Sequence, residues 1–440
     1  MQSSTAGSRP IDRALHAYGT SDARAALRHA LPVLERELPP LALALVAKAA
    51  LELAPDDELR QTLEGSVRVA IDAGNLPAAV VAASWMRSAG SNPSRAYDSI
   101  AEAYGRGSPR LSQRLPVAQD LPQAPLDVHA LPETTSDAEL FARARSAAQA
   151  ARAAWAERSA SPLPWVPLFS TLDRDVLRSL LAVFDARVVA EGKRVIGEGE
   201  LGSEAYVVAR GELDVERRTA DGVQRVHLAR LGAGSLVGEM ALVSRAVRTA
   251  SVTAARPSVL LVASKAELDR VAISNPGVAR EVNDYCRRRM IDSVARTSPL
   301  FHNVSSFDRE ALVDRFQIRS FEPGERILVQ GRPCDGLYLI AAGNAAVVKQ
   351  EDRERSIVSQ LGPGALIGEV ALVLRKPVDR EVVAQHPTIT LHLPREGFLD
   401  IMRAHPRLFV DLYALALQSD EDPASLESPQ PQSSPDSVLV

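Results

Sequence analysis

The stretch Gly238-Glu239-Met240-Ala241-Leu242-Val243-Ser244-Arg245-Ala246-Val247-Arg248-Thr249-Ala250-Ser251 decides the fold. A Gly-Glu step closes a strand, a short helical turn follows, and an arginine stands ten residues past the glycine. Gly238 gives the backbone room for a close approach, because it carries no Cβ. Glu239 is an acceptor suited to a sugar hydroxyl. The unpaired N–H groups of a turn over Met240, Ala241 and Leu242 favour an anion. Arg248 adds a planar, permanently charged fork that can grip two oxygens of one phosphate. Thr249 sets a hydroxyl beside it, and Ala250 keeps the next place small. The stretch thus has the makings of a pocket for a sugar-linked phosphate.

The frame recurs as Gly368-Glu369-Val370-Ala371-Leu372, but the place that matches Arg248 holds Val378, followed by Asp379. The expectation is one complete pocket and one degenerate copy. The repeat extends outward on both sides. Pro167-Leu168-Phe169 answers Pro299-Leu300-Phe301, and Gly192, Arg194, Gly199, Tyr206 and Gly211 answer Gly324, Arg326, Gly331, Tyr338 and Gly343. Each of these pairs is 132 residues apart, and the offset falls to 130 at the Gly-Glu steps. Such spacing marks a tandem duplication of one domain with two residues lost from a loop.

Within each copy, alternating apolar residues such as Ala205 to Val208 and Glu212 to Val215 are punctuated by Gly and Asp-Gly turns. Helices are expected to open the copies at 173–184 and 308–316 and to close them at 265–295 and 395–417. Short strands between helices imply a β-roll or jelly roll. Ahead of the repeat, Ala, Leu and Val recur at three- and four-residue spacing over 25–38, 41–53, 59–73, 78–86 and 96–104. Five short helices with tight turns suit a bundle or a small solenoid. The rhythm resembles a tetratricopeptide array, although that repeat's signature residues are out of register.

The resulting division is a helical domain over 11–106, a Pro-rich linker over 107–135 and a connecting helix over 136–160. Two β-roll domains follow over 161–295 and 296–418, then an acidic Ser/Pro tail over 419–440 expected to be disordered. The fold class is α+β and multidomain.

Composition narrows the function. The chain has 440 residues, 46% of them hydrophobic and 24% charged, with a formal net charge of −4. That balance gives no attraction to nucleic acid or to an acidic membrane. Two cysteines, Cys286 and Cys334, provide neither a disulfide framework nor a zinc site. The eight histidines are scattered without metal-ligand spacing. The N-terminus lacks the apolar run of a signal peptide, and 41–53 is too short to span a bilayer. A cytoplasmic location is the expectation. No P-loop, nucleophile elbow or kinase signature occurs, so no enzyme is expected and no cofactor is called for.

The residues quoted resemble the cyclic-nucleotide-binding domains of catabolite-activator-type and protein-kinase-regulatory-subunit-type proteins. Their phosphate cassette runs Gly-Glu-aliphatic-Ala-Leu, a short insertion, then Pro-Arg-small-Ala. Val247 departs from that pattern, standing where the proline is usual. The resemblance covers about residues 161–418. It implies that Glu239 holds a ribose 2′-OH and that Arg248, with the Gly238 to Leu242 backbone, holds a cyclic phosphate. The ligand would be cAMP or cGMP, with Thr249 leaning slightly towards cGMP. The second pocket, with Gly368, Glu369 and Val378, would be a docking partner or a lid.

Two features stay open. Arg287-Arg288-Arg289, beside Tyr285, is either a contact that senses the occupied pocket or a solvated helix face, and Tyr285 could stack on a base. Arg143-Ala144-Arg145-Ser146 lies where kinase regulatory subunits carry an inhibitor segment, yet it falls on an expected helix. The leading expectation is a non-catalytic regulator that binds a cyclic mononucleotide in the first barrel and acts on an unknown protein partner through the helical domain. The alternatives are a ligand-free interaction scaffold and a kinase-inhibiting subunit.

Overall fold

Ile11, Ala14 and Leu15 fall at helical spacing behind Pro10, and in the computed structural model they line a helix beyond the five that periodicity implies: α1 (Pro10–Gly19). The residues described are 9–112, 128–157, 161–166, 168–218, 224–243, 248–297, 315–351, 354–404 and 406–421. After α1 come α2 (Ala23–Glu37), α3 (Pro40–Leu53), α4 (Asp57–Asp72), α5 (Leu76–Ser88) and α6 (Ser94–Tyr104). The starts are chemically specified. Asp22, Asp56 and Asn75 accept from Ala25 N, Leu59 N and Ala78 N, each relieving one unpaired N–H of its helix. Most of α3 is buried, which explains why it is apolar on nearly every side.

Leu111–Ser112 (β1) pairs in parallel with Leu163–Pro164 (β2), and between them the chain makes an excursion that carries α7 (Asp137–Ala156). Ser136 caps α7 through Glu139 N. Most of the expected 107–135 linker, at 113–127, lies outside the described residues, as does 158–160.

α8 (Arg174–Leu181) opens the first barrel, inside the expected 173–184. Its strands are β3 (Phe184–Val189), β4 (Arg194–Ile196), β5 (Glu204–Arg210), β6 (Leu213–Arg218), β7 (Arg225–Leu231), β8 (Leu236–Val237), β9 (Ser251–Ala254) and β10 (Ser258–Ser264). They form two antiparallel four-stranded sheets, ordered β3-β10-β5-β8 and β4-β9-β6-β7. Val189, Tyr206, Val208, Val215, Leu260 and Val262 belong to the core between them. Neither β5 nor β10 shows the alternation of a half-solvated strand, because both faces are covered. Their other face, with Ala205, Val207, Val259 and Leu261, belongs to the core of the N-terminal helices.

The single closing helix expected at 265–295 is corrected to two, α10 (Lys265–Ser274) and α11 (Pro276–Thr297). Pro276 forces the break, since it has no N–H to give and crowds Asn275 out of helical geometry.

The second barrel repeats the plan with β11 (Gln317–Phe321), β12 (Arg326–Leu328), β13 (Gly336–Ala342), β14 (Ala345–Glu351), β15 (Glu354–Leu361), β16 (Leu366–Ile367), β17 (Glu381–Ala384) and β18 (Thr388–Pro394). Its sheets, β11-β18-β13-β16 and β12-β17-β14-β15, match the first barrel strand for strand. α12 (Glu369–Val373) follows the second Gly-Glu step. Here too the expected single helix, 395–417, is two: α13 (Arg395–Ala404) and α14 (Pro406–Glu421). Residues 308–314 of the opening helix expected at 308–316, and the tail beyond Glu421, lie outside the described residues; Arg315 and Phe316 are described and are not helical. The class is α+β, with helices first and two tandem β-rolls after them.

The helical region is fastened to the first barrel. Asp12 on α1 takes Arg210 Nη1 at 2.5 Å and also pairs with Arg256. Arg87 on α5 donates to the Ala182 and Phe184 carbonyls, each at 2.7 Å, and Ser84 Oγ accepts from Ala186 N at 2.8 Å. Among the described residues no helix is long and apolar enough to cross a membrane.

Candidate functional site

The site begins where β8 ends. Gly238 takes φ +72°, a left-handed value natural to glycine, and the chain turns directly into α9 (Met240–Val243). Arg248 enters from the other side, its backbone fixed by Arg248 N to Glu200 O and Gly199 N to Arg248 O, both 2.9 Å. Its guanidinium crosses the gap, donating from Nη1 to Gly238 O at 3.0 Å and from Nη2 to Glu204 O. Two glycines make the space. A Cβ on Gly202 would stand 2.3 Å from Arg248 Nε, and one on Gly238 would stand 2.5 Å from Nη1.

Arg248 is 6% exposed, and burial works against its charge, with Tyr206, Glu239 and Glu204 opposing that effect. No carboxylate among the described residues is ion-paired with it; both hydrogen bonds go to neutral carbonyls. A guanidinium held in this way keeps its full charge for an anion.

Glu204 supplies one of those carbonyls and is itself locked. Arg187 grips its carboxylate with two N–H groups at 3.1 and 3.2 Å, and Tyr206 OH donates to it at 2.6 Å. Burial would raise the carboxyl, but the Arg187 and Tyr206 hydrogen bonds outweigh it and hold Glu204 below the ordinary glutamate range.

Glu239 is fully buried. Arg289 Nε, from α11, lies 3.3 Å from its Oε1, close enough for charge attraction. The angles are not those of a hydrogen bond, and neither carboxylate oxygen has such a partner among the described residues. Burial pushes its pKa up, while Arg289 pulls it down. A buried carboxylate without hydrogen bonds is costly, and a donor hydroxyl would relieve it. Cys286 Sγ, also on α11, reaches Glu239 O at 3.8 Å.

The arginine triplet on α11 therefore divides. Arg289 faces the pocket, Arg287 pairs with Asp284 at 3.4 Å and donates to Phe316 O, and Arg288 is exposed. The solvated-face reading fails for two of the three. Tyr285 is partly buried beside Arg289.

Gly238, Glu239, Met240, Ala241, Leu242 and Arg248 thus converge on one turn; Met240, Ala241 and Leu242 are buried. Thr249 is half-buried next to Arg248, and Ala250 packs into the barrel core instead. Residues 244–247, including Val247, lie outside the described part. Gly202, Glu204 and Arg187 were not among the expected site residues. The signal for Gly202 was present, since its 132-residue partner is Cys334 rather than glycine.

In the second barrel Gly368 takes φ +95°, Glu369 is buried and so is Val378. Cys334 Sγ donates to Gly336 O at 3.1 Å and to Gly368 O at 3.8 Å.

Residues 186–275 and 318–405 each match the family model described as the cyclic nucleotide-binding domain. The cAMP-dependent protein kinase regulatory subunit of Yarrowia lipolytica is 31% identical over 234 residues, which cover 52% of this chain and 57% of that protein. The type II regulatory subunit of Drosophila melanogaster is 28% identical over 243 residues, covering 55% and 59%. The chain thus spans a little under three-fifths of these relatives' own length. Among solved structures, the regulatory domain of Toxoplasma gondii PKA with cAMP is 24% identical, covering 58% of this chain and 92% of that one, with a TM-score of 0.28.

Proposed function

We propose that this chain, which carries two domains of the cyclic nucleotide-binding family, is a non-catalytic regulator that binds cAMP or cGMP in its first barrel. One observation carries the reading. Among the described residues, a buried arginine bonded only to carbonyls stands beside a fully buried carboxylate that lacks a hydrogen-bond donor. A cyclic nucleotide supplies both missing partners, its phosphate to Arg248 and its ribose 2′-OH to Glu239. The base is not assigned, since half-buried Thr249 is compatible with either.

The signal passes through Glu239. Without ligand, Arg289 holds that carboxylate from α11. A ribose hydroxyl bonded to Glu239 weakens the claim of Arg289, so the ligand has different affinities for the two placements of α11, as any ligand-driven shift requires. α11 also reaches the second barrel through Arg287 and the Phe316 carbonyl, so its movement is felt there. The regulated partner is a protein, and the names of the relatives point to a protein kinase.

The Arg143-Ala144-Arg145-Ser146 segment is poorly placed to inhibit one. It lies within α7, with Arg143 paired to Glu35 and Arg145 to Asp56. A melting screen against cyclic mononucleotides and cyclic dinucleotides tests the proposal. A shift with cAMP or cGMP that is lost in Arg248→Ala supports it. Unmoved melting at millimolar nucleotide favours the ligand-free scaffold.

A further inference from the structure

The N-terminal helices are covered on two sides by other parts of this chain, and the two covers differ in kind. α1 and α5 share a continuous apolar core with β3, β5 and β10, reinforced by Asp12, Arg210 and Arg256. α2, α3 and α4 are covered by α7 alone among the described elements that pack on all three. The buried seam of α7 is Leu140, Ala144, Ala147, Ala148 and Ala151, so four of its five places contribute a single methyl group. Larger side chains enter only at the margins. Phe141 is partly buried under the Arg145 guanidinium, and Trp155 donates from Nε1 to Leu38 O at 3.0 Å.

Three charge pairs set the register. Asp137 meets Arg24 at 2.6 Å, Arg143 meets Glu35 at 2.8 Å, and Arg145 meets Asp56. The first two are at least one-third exposed on both partners, so water competes with them and they direct more than they hold. Gly65 of α4 makes room for the Arg152 side chain of α7, whose Nε would lie 3.3 Å from a Cβ there.

The excursion that carries α7 also begins and ends at one place. Leu163 N donates to Arg110 O at 2.7 Å and Trp165 N to Ser112 O at 3.2 Å, closing its base. The junction between α6 and α8 is therefore closed without α7. The seat could not stay bare, because α3 beneath it is apolar on nearly every side.

We propose that α2, α3 and α4 form a helix-binding groove, occupied in cis by α7 and taken over by a partner helix of the same chemistry. The fixed charges of the groove define that helix. It needs an acid for Arg24, then bases six and eight residues later for Glu35 and Asp56, as Asp137, Arg143 and Arg145 show. It also carries small residues along the seam, as Ala144, Ala147, Ala148 and Ala151 do. The nucleotide pocket plays no part in this recognition.

The test uses the full chain and a fluorescent peptide of residues 137–156. Charge reversal of the chain's own helix, Arg143→Glu with Arg145→Glu, should let the chain bind the wild-type peptide at least tenfold more tightly than the unaltered chain does. A peptide carrying the same two reversals should not bind that variant. Failure of the variant to take up the peptide, with its circular dichroism unchanged, overturns the proposal. Hydrogen exchange on the unaltered chain provides a check that needs no variant. Amides of α7 should exchange at least tenfold faster than those of α3, and exchange of both helices at one common rate would show that α7 is a fixed part of the domain.

Discussion

Cys334 and Arg248 address the same pair of backbone carbonyls in their two barrels. Arg248 donates to Gly238 O and Glu204 O, while Cys334 donates to Gly368 O and Gly336 O at the matching places. Cys334 also stands where Gly202 makes room for the guanidinium, and a Cβ on Gly368 would lie 2.8 Å from its Sγ. Loss of the arginine and gain of a side chain at 334 are two halves of one change. The thiol fills the hole and gives both carbonyls a weak donor.

That pairing predicts a non-additive repair. Val378→Arg alone drives a guanidinium into space that the Cys334 thiol occupies, and should lower the melting temperature of the chain. Cys334→Gly added to it frees the space and both carbonyls, so the double variant should melt above the single one. Glu369 remains in place for a ribose hydroxyl. Titration calorimetry should then move from one cyclic nucleotide per chain towards two. Equal melting losses in the single and double variants would refute the pairing.

In the first barrel, Arg248→Lys is a sharper probe than removal. Lysine keeps the charge but loses the planar fork, so it cannot hold Gly238 O, Glu204 O and a phosphate together. Charge-assisted hydrogen bonds contribute roughly 1.5–3 kcal/mol each, so Arg248→Lys should weaken binding by about tenfold or more, and Arg248→Ala by about 100-fold or more. Calorimetry at fixed salt measures both.

Glu239 predicts a dependence on pH. Burial is the leading cause of its shift, and the direction is upward. A raised folded pKa means that the native state takes up this proton before the unfolded chain does. The contribution is therefore full below the ordinary glutamate value of about 4.3 and is lost as pH rises through the folded value. Ligand-free wild type should lose stability relative to Glu239→Gln as pH climbs through that window. Calorimetric melting of both proteins at several pH values checks it, and parallel curves would contradict it.

The fold was legible where chemistry lies close in sequence. Glycines at a fixed offset exposed the duplication, and Glu239 with Arg248 could be read because one short stretch carries both. What escaped depends on pairing across distance. Gly202 and Glu204 meet Arg248, and Arg187 meets Glu204, only because β3, β10, β5 and β8 lie side by side. Arg287, Arg288 and Arg289 are identical as letters, yet about 100° of rotation per residue sends them to three environments. The helices at 265–295 and 395–417 looked continuous because their apolar spacing runs through Pro276 and Pro406, whose missing N–H breaks the hydrogen-bond ladder.

The attachment of the helical domain was the least legible feature, since Asp12 and Arg210 are 198 residues apart, and it yields the last prediction. Arg210 is 1% exposed and shares Asp12 with Arg256. The second barrel has Ala342 and His386 at the matching places, so the two arginines belong to the barrel that carries the helices. Asp12→Ala removes the shared carboxylate and leaves two cations in a buried interface, a change that typically costs about 3–5 kcal/mol. Arg256 retains Glu212 at 3.6 Å. Replacing the trio with apolar residues, as in Asp12→Leu with Arg210→Met and Arg256→Met, should recover much of the loss, because an intact buried ion pair contributes little net stability. Denaturant unfolding followed by proteolysis separates these cases: Asp12→Ala should expose α1 to cleavage at lower denaturant, and the triple variant should not. Equal resistance of wild type and Asp12→Ala would mean that the apolar interface alone fastens the helical domain.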